Sequence, residues 1–424
     1  MSRKKTLLWI VAVGGAMIVI VFGVLVLYPL IFGTALERKL AELRKAGEPT
    51  CLADLARKPI DSERNGMTYI LRAKADLSDV DKELSSLVDD QGNYKPEDMK
   101  KIEDVLSAHP NIYPLLEQAA VCEDFDLQMD FGVPPSQVSG QIEMFLFREV
   151  ARHIDARSRT LITDGDRHEA LRSAVVLLEI SRRVETLPFI LNRAVANGMK
   201  SVALECAFNV LASGPVDGSA RAELEQELSL DRSMDQLRNA MKTERALSLD
   251  IYRREIAPNW IWIWRDQGEL SVLSAFEDYL NYLSLTYSGY CAKTRTGSTR
   301  SCDIFGEMMR PALAGVLTGT YRVQALVRAL RIINALQRKH LVDGDETPTM
   351  AELGLPDEVG VDPFSGKAMI IKKLPEGWLV YSVGENLTDD GGKVAEESDN
   401  KPLDIGFGPK ISKPQSEDKG PAQE

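Results

Sequence analysis

The sequence predicts a mainly α-helical protein in three parts. These are an N-terminal transmembrane helix, a body of helical hairpins forming a bundle or a short irregular tetratricopeptide-like solenoid, and a small C-terminal β-hairpin with an acidic loop. Three observations predict it. An uncharged apolar run follows a basic cluster at the N-terminus. Amphipathic stretches at helical spacing, separated by turns of two or three residues, fill the middle. One sharply punctuated segment, Asp362 to Gly392, then carries a turn, two β-type runs and a loop rich in Asn, Asp and Gly.

Taken in order, Arg3, Lys4 and Lys5 precede an uncharged run from Thr6 to Leu36, whose apolar heart is Leu7 to Phe32. At the helical rise that heart is roughly 39 Å long, more than the roughly 30 Å hydrocarbon core requires. Trp9 and Tyr28 stand near its ends, where amphipathic rings favour the interface. Because the positive cluster comes first, residues 1–6 are expected to be a cytoplasmic stub. Residues 7–32 are then a single-pass anchor in the inner (cytoplasmic) membrane, with the lipid bilayer as its partner, and the bulk of the chain is extracytoplasmic. A cleaved signal peptide would have a shorter apolar region and a small-x-small site, and Phe32-Gly33-Thr34-Ala35 is a poor one.

Residues 35–345 are expected to form the helical body. Gly47 and Pro49 stop the first charged helix, and Thr50 is placed to cap a short helix over Cys51 to Leu55. Glu63 to Ala75, Ser78 to Leu87, Lys95 to Ala108 and Ile112 to Cys122 read as short helices, with Pro96 and Pro114 in first turns. Longer ones follow: Gln141 to Thr163, Arg167 to Val184, Leu187 to Ala212, Ala220 to Leu230, Met234 to Ile256, Leu270 to Tyr287 and Phe305 to His340. The Asp164-Gly165-Asp166 turn makes its flanking helices antiparallel neighbours. No clean repeat of about 34 residues is present.

Net charge is −12 and the isoelectric point about 5.1, which argues against nucleic-acid binding, since phosphates need Lys and Arg. Cys291 and Cys302 flank a polar loop and are the best-placed disulfide pair among five cysteines; an odd count leaves at least one thiol. No Cys-x-x-Cys points to structural zinc. Trp260, Trp262 and Trp264 alternate, and in an extended segment all three rings would share one side. They are candidate partner-binding residues, weighed against simple packing on the helices. The Glu223, Glu225, Glu227 series and Arg182-Arg183 read as solvated faces. No metalloprotease, nucleophile-elbow or phosphate-loop motif occurs.

Residues 346–408 hold the C-terminal module, and the tail 409–424, rich in Pro, Ser, Lys and Glu, is expected to be disordered. Asp362-Pro363 opens a turn, Ala368 to Lys373 and Trp378 to Val383 are strands, and Pro375-Glu376-Gly377 joins them. The following loop offers Asn386, Asp389 and Asp390, oxygen ligands of the kind Ca²⁺ requires, although the spacing is not that of an EF-hand.

The run from Asp362 to Gly392, with Asp404-Ile405 downstream, resembles the C-terminal hairpin and loop of type II secretion major pseudopilins. Tyr381, Ser382, Gly384, Asp389, Asp390 and Gly391-Gly392 carry the resemblance. It implies a calcium ion held in the acidic loop. It does not imply polymerisation into a pseudopilus. The prepilin-peptidase junction is missing, and about 300 residues separate anchor from hairpin. The layout also resembles a group of bacterial membrane-anchored proteins that share the anchor, a Gly-x-Pro-Thr-x-x-x-x-Leu segment (here Gly47 to Leu55), helical hairpins and this terminus; that likeness implies no activity. The function expected is a membrane-anchored extracytoplasmic interaction or scaffold protein with an unidentified protein partner. The alternatives are an accessory of a secretion or pilus-like machine, and an enzyme with its site in a helical groove.

Overall fold

A computed structural model of the chain describes residues 9, 13–20, 22–23, 34–89, 94–141, 143–258, 262–295, 304–339, 347–394 and 404–409. It is mainly helical, with one small antiparallel sheet of three strands. Among the described residues no helix is long and apolar enough to cross a membrane. Most of Leu7 to Phe32 lies outside them; its described part is helical, and Met17, Ile18, Val19, Ile20 and Phe22 turn their apolar side chains outward.

Helix α1, Thr34–Lys45, buries Leu36 and Leu40, four apart and so on one face. Gly47 ends it in the left-handed conformation at φ 71°, which glycine adopts without steric cost. The chain then leaves helix as a strap, 47–60, interrupted only by the 3-10 turn Leu52–Leu55. Asp54 reaches back to the N–H of Thr50 (2.8 Å), its hydroxyl (3.0 Å) and the N–H of Cys51 (3.2 Å). The N-cap is therefore Cys51 and not Thr50 as expected: the Thr50 hydroxyl donates to Asp54, which closes the turn from its far end.

Helix α2, Gly66–Ser85, is continuous where the sequence reading expects two helices divided before Ser78. Ile70, Ala73, Leu77, Val80 and Leu84 make one unbroken buried stripe, and no Gly or Pro interrupts it. Helices α3 (Met99–Ala108) and α4 (Ile112–Val121) complete the first part. Helices α5 (Met144–Asp164), α6 (Arg167–Val184) and α7 (Ile190–Ser213) pack on one another. Gly165 ends α5 at φ 83°, and Asp166 caps α6 by accepting the Glu169 N–H at 3.1 Å. Helix α8, Gly218–Ser229, lies between α6 and helix α12, Ile304–Arg338. Helix α9, Ser233–Ile251, ends in a π-turn to Ile256; α10 (Trp262–Tyr282) and α11 (Tyr287–Arg295) follow.

The strands are β1 (Ile370–Leu374), β2 (Gly377–Ser382) and β3 (Ile405–Phe407). The expected hairpin is present, with Ile370 opposite Tyr381 and Leu374 opposite Gly377. The third strand was not foreseen; it pairs Ile405 with Ser382 and Phe407 with Val380. Both strands β2 and β3 pack on α12. Phe407 stacks on Phe208 of α7 at 4.9 Å, and Phe364 meets Tyr287 at 4.8 Å. The sheet is thus built into the helical cores, and the boundary at 345/346 divides the chain but not the packing.

Candidate functional site

The strap 47–60 is tied to one helix. Along α9 and the π-turn after it, Arg245 donates to Glu48 at 2.8 Å, Asp250 accepts the Leu52 N–H at 2.9 Å, and Arg253 donates to the Thr50 carbonyl at 3.0 Å. Leu52 fills the space beneath. Held this way, the strap bridges a groove rather than filling it. A cavity of about 430 Å³ lies between Leu55–Pro59 and the segment 125–132, over Leu187 and Pro188. A second, of about 720 Å³, opens beside the same Leu55, Ala56, Arg57, Leu187 and Pro188 and extends to Arg44 and Thr243. A third, of about 290 Å³, shares Glu48 and Lys242 and runs between α1, α9 and α10.

The turn forming the groove floor is strained and pinned. Phe189 has φ 75°, an outlier for a bulky side chain. Its N–H donates to Thr243 Oγ1 at 2.8 Å, the next N–H to Glu244 Oε2 at 3.1 Å, and Asn192 Nδ2 to the Pro188 carbonyl at 2.6 Å. Helix α9 therefore caps α7 and fixes Leu187 and Pro188 at the surface of the groove.

Behind that floor sits a buried ionic cluster. Glu185, just after α6, pairs with Arg193 and, at 2.6 Å, with Lys200; Lys200 also holds Asp231 at 2.8 Å. Ser233 joins it, 2.6 Å from Asp231 and 3.1 Å from Lys200. The side chains of Arg193 and Glu185 are 0% exposed. Burial alone would neutralise Lys200 and Asp231, yet each is shifted toward its charged form by the other, Lys200 upward and Asp231 downward. Arg193 Nε and Nη2 and Glu185 Oε2 have no hydrogen-bond partner among the described residues.

The groove itself is electrostatically uneven. Burial pushes Glu48 upward, but Lys242 and Arg245 hold it below the usual carboxylate range. The hydrogen bonds from Thr50 and Cys51 likewise outweigh burial at Asp54. Arg44, Lys45, Arg57 and Lys58 are exposed and form no ion pair with the described residues.

The sequence-predicted acidic loop is closed by its own donors. Asp389 accepts from the Tyr381 hydroxyl at 2.8 Å and the Gly391 N–H at 2.9 Å, and these bonds hold its carboxyl low. Asn386 donates to Asp390 at 2.7 Å. Asp404, raised by burial, accepts N–H groups from Asp390, Gly392 and Lys393 at 3.3, 2.8 and 3.2 Å. Ca²⁺ requires about six to eight converging oxygens. Here N–H and O–H donors surround the carboxylates, and no group of three or more His, Cys, Asp or Glu is arranged for a metal among the described residues. Residues 395–403, which continue this loop, lie outside the described residues. A Ca²⁺ titration tests the ion: if the loop holds it, the melting temperature rises and Asp389→Ala with Asp390→Ala abolishes the rise, whereas no rise in the wild type discards it.

Of the tryptophan row, Trp260 lies outside the described residues, while Trp262 and Trp264 open helix α10. The strand-like geometry does not hold for these two. Cys291 carries a free thiol on α11, and Cys302 lies outside the described residues. The glutamate series is a correction. Glu223 and Glu227, four apart, face α6 and pair with Arg172 (2.5 Å) and Arg182 (2.6 Å). Glu225, on the other side of α8, pairs with Arg331 of α12 at 2.7 Å.

Sequence reasoning missed the Glu185–Arg193–Lys200–Asp231 cluster, although a signal was present. Arg193 and Lys200 stand in register with the buried Ala196, Ala203 and Ala207, charges in an apolar stripe. It also missed Arg44 and Arg57, which nothing local distinguishes from other surface cations. No family model, curated protein or solved structure matches this chain.

Proposed function

We propose that the protein is a membrane-anchored extracytoplasmic interaction protein, with a protein partner docking in the groove beneath the strap. In this reading Leu7 to Phe32 spans the inner membrane once, the N-terminus stays in the cytoplasm, and the helical-hairpin body presents the groove. The observation that carries it is the meeting of three cavities at one tethered strap just after α1. Binding is favoured over catalysis because His, Cys and Ser are absent from the described linings, and the Glu48 and Asp54 carboxylates are already occupied. Concave surfaces with exposed apolar patches between fixed polar groups are where ligands and partners dock.

Lys39 of α1 reaches Glu277 of α10 at 2.6 Å, and Leu36 and Leu40 are buried. An anchor continuing from α1 would thus orient the body on the membrane. A reporter fused after Glu424 is expected to be active only outside the cytoplasm; cytoplasmic activity overturns the topology.

A further inference from the structure

Resting on that docking reading, we propose that the groove takes an extended peptide segment, acidic at one end and apolar at the other. Its acidic end lies against Arg44 and Arg57 in the larger cavity, and its apolar end enters the smaller cavity against Phe125, Leu127 and Pro188.

Charge accounting over the larger cavity sets the acidic end. Of its anions, Glu48 pairs with Lys242 (2.9 Å) and Arg245, and Glu185 with Arg193 and Lys200, whereas Asp54 keeps its charge and accepts hydrogen bonds from Thr50 and Cys51. Two of its cations, Arg44 and Arg57, have no ion-pair partner among the described residues, and Lys45 and Lys58 stand beside them, equally unpaired. This cationic rim sits on a chain of net charge −12, so it is a local exception to the protein's overall field. Guanidinium groups suit carboxylates because their fork matches the two oxygens.

The smaller cavity sets the other end. Its apolar lining includes Leu55, Phe125, Leu127, Met129, Phe131 and Leu187. Asp126 and Asp130 border it too; Asp126 accepts the Gln128 N–H and Asp130 the Gly132 N–H, each at 2.8 Å. Arg57 lines both cavities, Arg44 only the larger and Asp126 and Asp130 only the smaller, so the acidic end is directed toward Arg44. The flanking main chain, 56–60 and 125–130, is neither helix nor strand. Side chains hold the second of these segments, Asn65 at the Asp126 N–H (3.0 Å) and Gln141 at the Asp130 N–H (2.7 Å). The cavity thus lies between two non-helical stretches of main chain, along which an extended segment is placed.

The probe is a fluorescein-labelled octapeptide of four glutamates followed by Leu-Val-Leu-Val, titrated by anisotropy against the full-length protein in detergent. Binding is expected to weaken as salt rises. It should fall about tenfold or more in the Arg44→Glu, Arg57→Glu double variant and be unchanged in Lys367→Glu, an exposed cation elsewhere. Replacing the four apolar residues by serine should weaken it as well. No binding of the probe, or equal binding by the double variant, overturns the acidic occupant. A photocrosslinking residue at Ala56 in intact cells separates the two levels. Adducts that persist in the double variant would retain docking and discard the acidic chemistry, whereas no adduct at all would remove the docking reading itself.

Discussion

Replacing Glu185 by alanine is expected to destabilise the protein by about 3–5 kcal/mol, the range for removing one member of a buried ion pair. The loss comes from what is left behind. Arg193 would remain fully buried with its charge uncompensated, while Lys200 would keep Asp231 and Ser233. The companion variant decides the mechanism. Glu185→Leu combined with Arg193→Met removes both charges and fills similar space. It is expected to be closer to wild type than Glu185→Ala alone, because paired charges replaced by apolar groups of like volume are often neutral. Chemical denaturation of the three proteins measures this. A double variant no better than the single one would place the cost in packing rather than in charge.

The second large effect is expected at Asp362. Its carboxylate is 1% exposed and ties four groups together: the Phe364 N–H (2.8 Å), the Ser365 hydroxyl (2.7 Å), the Ser382 hydroxyl (2.6 Å) and the Val383 N–H (3.3 Å). It therefore joins the turn before β1 to the end of β2. The same turn seats Phe364 between Tyr287 and Tyr321, and its Phe364 carbonyl accepts the Ser288 N–H of α11 at 3.0 Å. Asp362→Ala leaves at least two buried donors without an acceptor, each costing about 1–3 kcal/mol, so a loss of about 3–5 kcal/mol is expected. Asp362→Asn retains one acceptor oxygen and should fall between. The loss should be accompanied by faster proteolysis within 370–394. Denaturation midpoints unchanged in Asp362→Ala would show that the knot carries no stability.

Much of the fold was legible because it is locally encoded. Helix α6 runs from Arg167 to Val184 as its periodicity predicts, since Asp166 caps it and the apolar stripe is regular. The two predicted strands also appear, within two residues at their ends. The division of α2 at Ser78 failed because a serine can cap a helix but does not break one. The third strand, β3, was not legible. Three residues carry no period, and Ile405 to Phe407 becomes a strand only because β2 lies beside it.

The groove shows the same division more sharply. Gly47, Pro49 and Thr50 announce that the chain leaves helix there, and those signals act over a few residues. Nothing local announces that Asp250, 198 residues later, will hold Leu52 and so keep the strap raised above its floor. Charge behaves likewise. Arg44 and Arg193 are the same residue type on helices of similar pattern, and one is exposed while the other is 0% exposed. Periodicity along the chain settles which residues become helix, because helical hydrogen bonds span four positions. Which charges are compensated and which remain free to meet a partner is settled only by packing, because an ion pair is made by proximity in space.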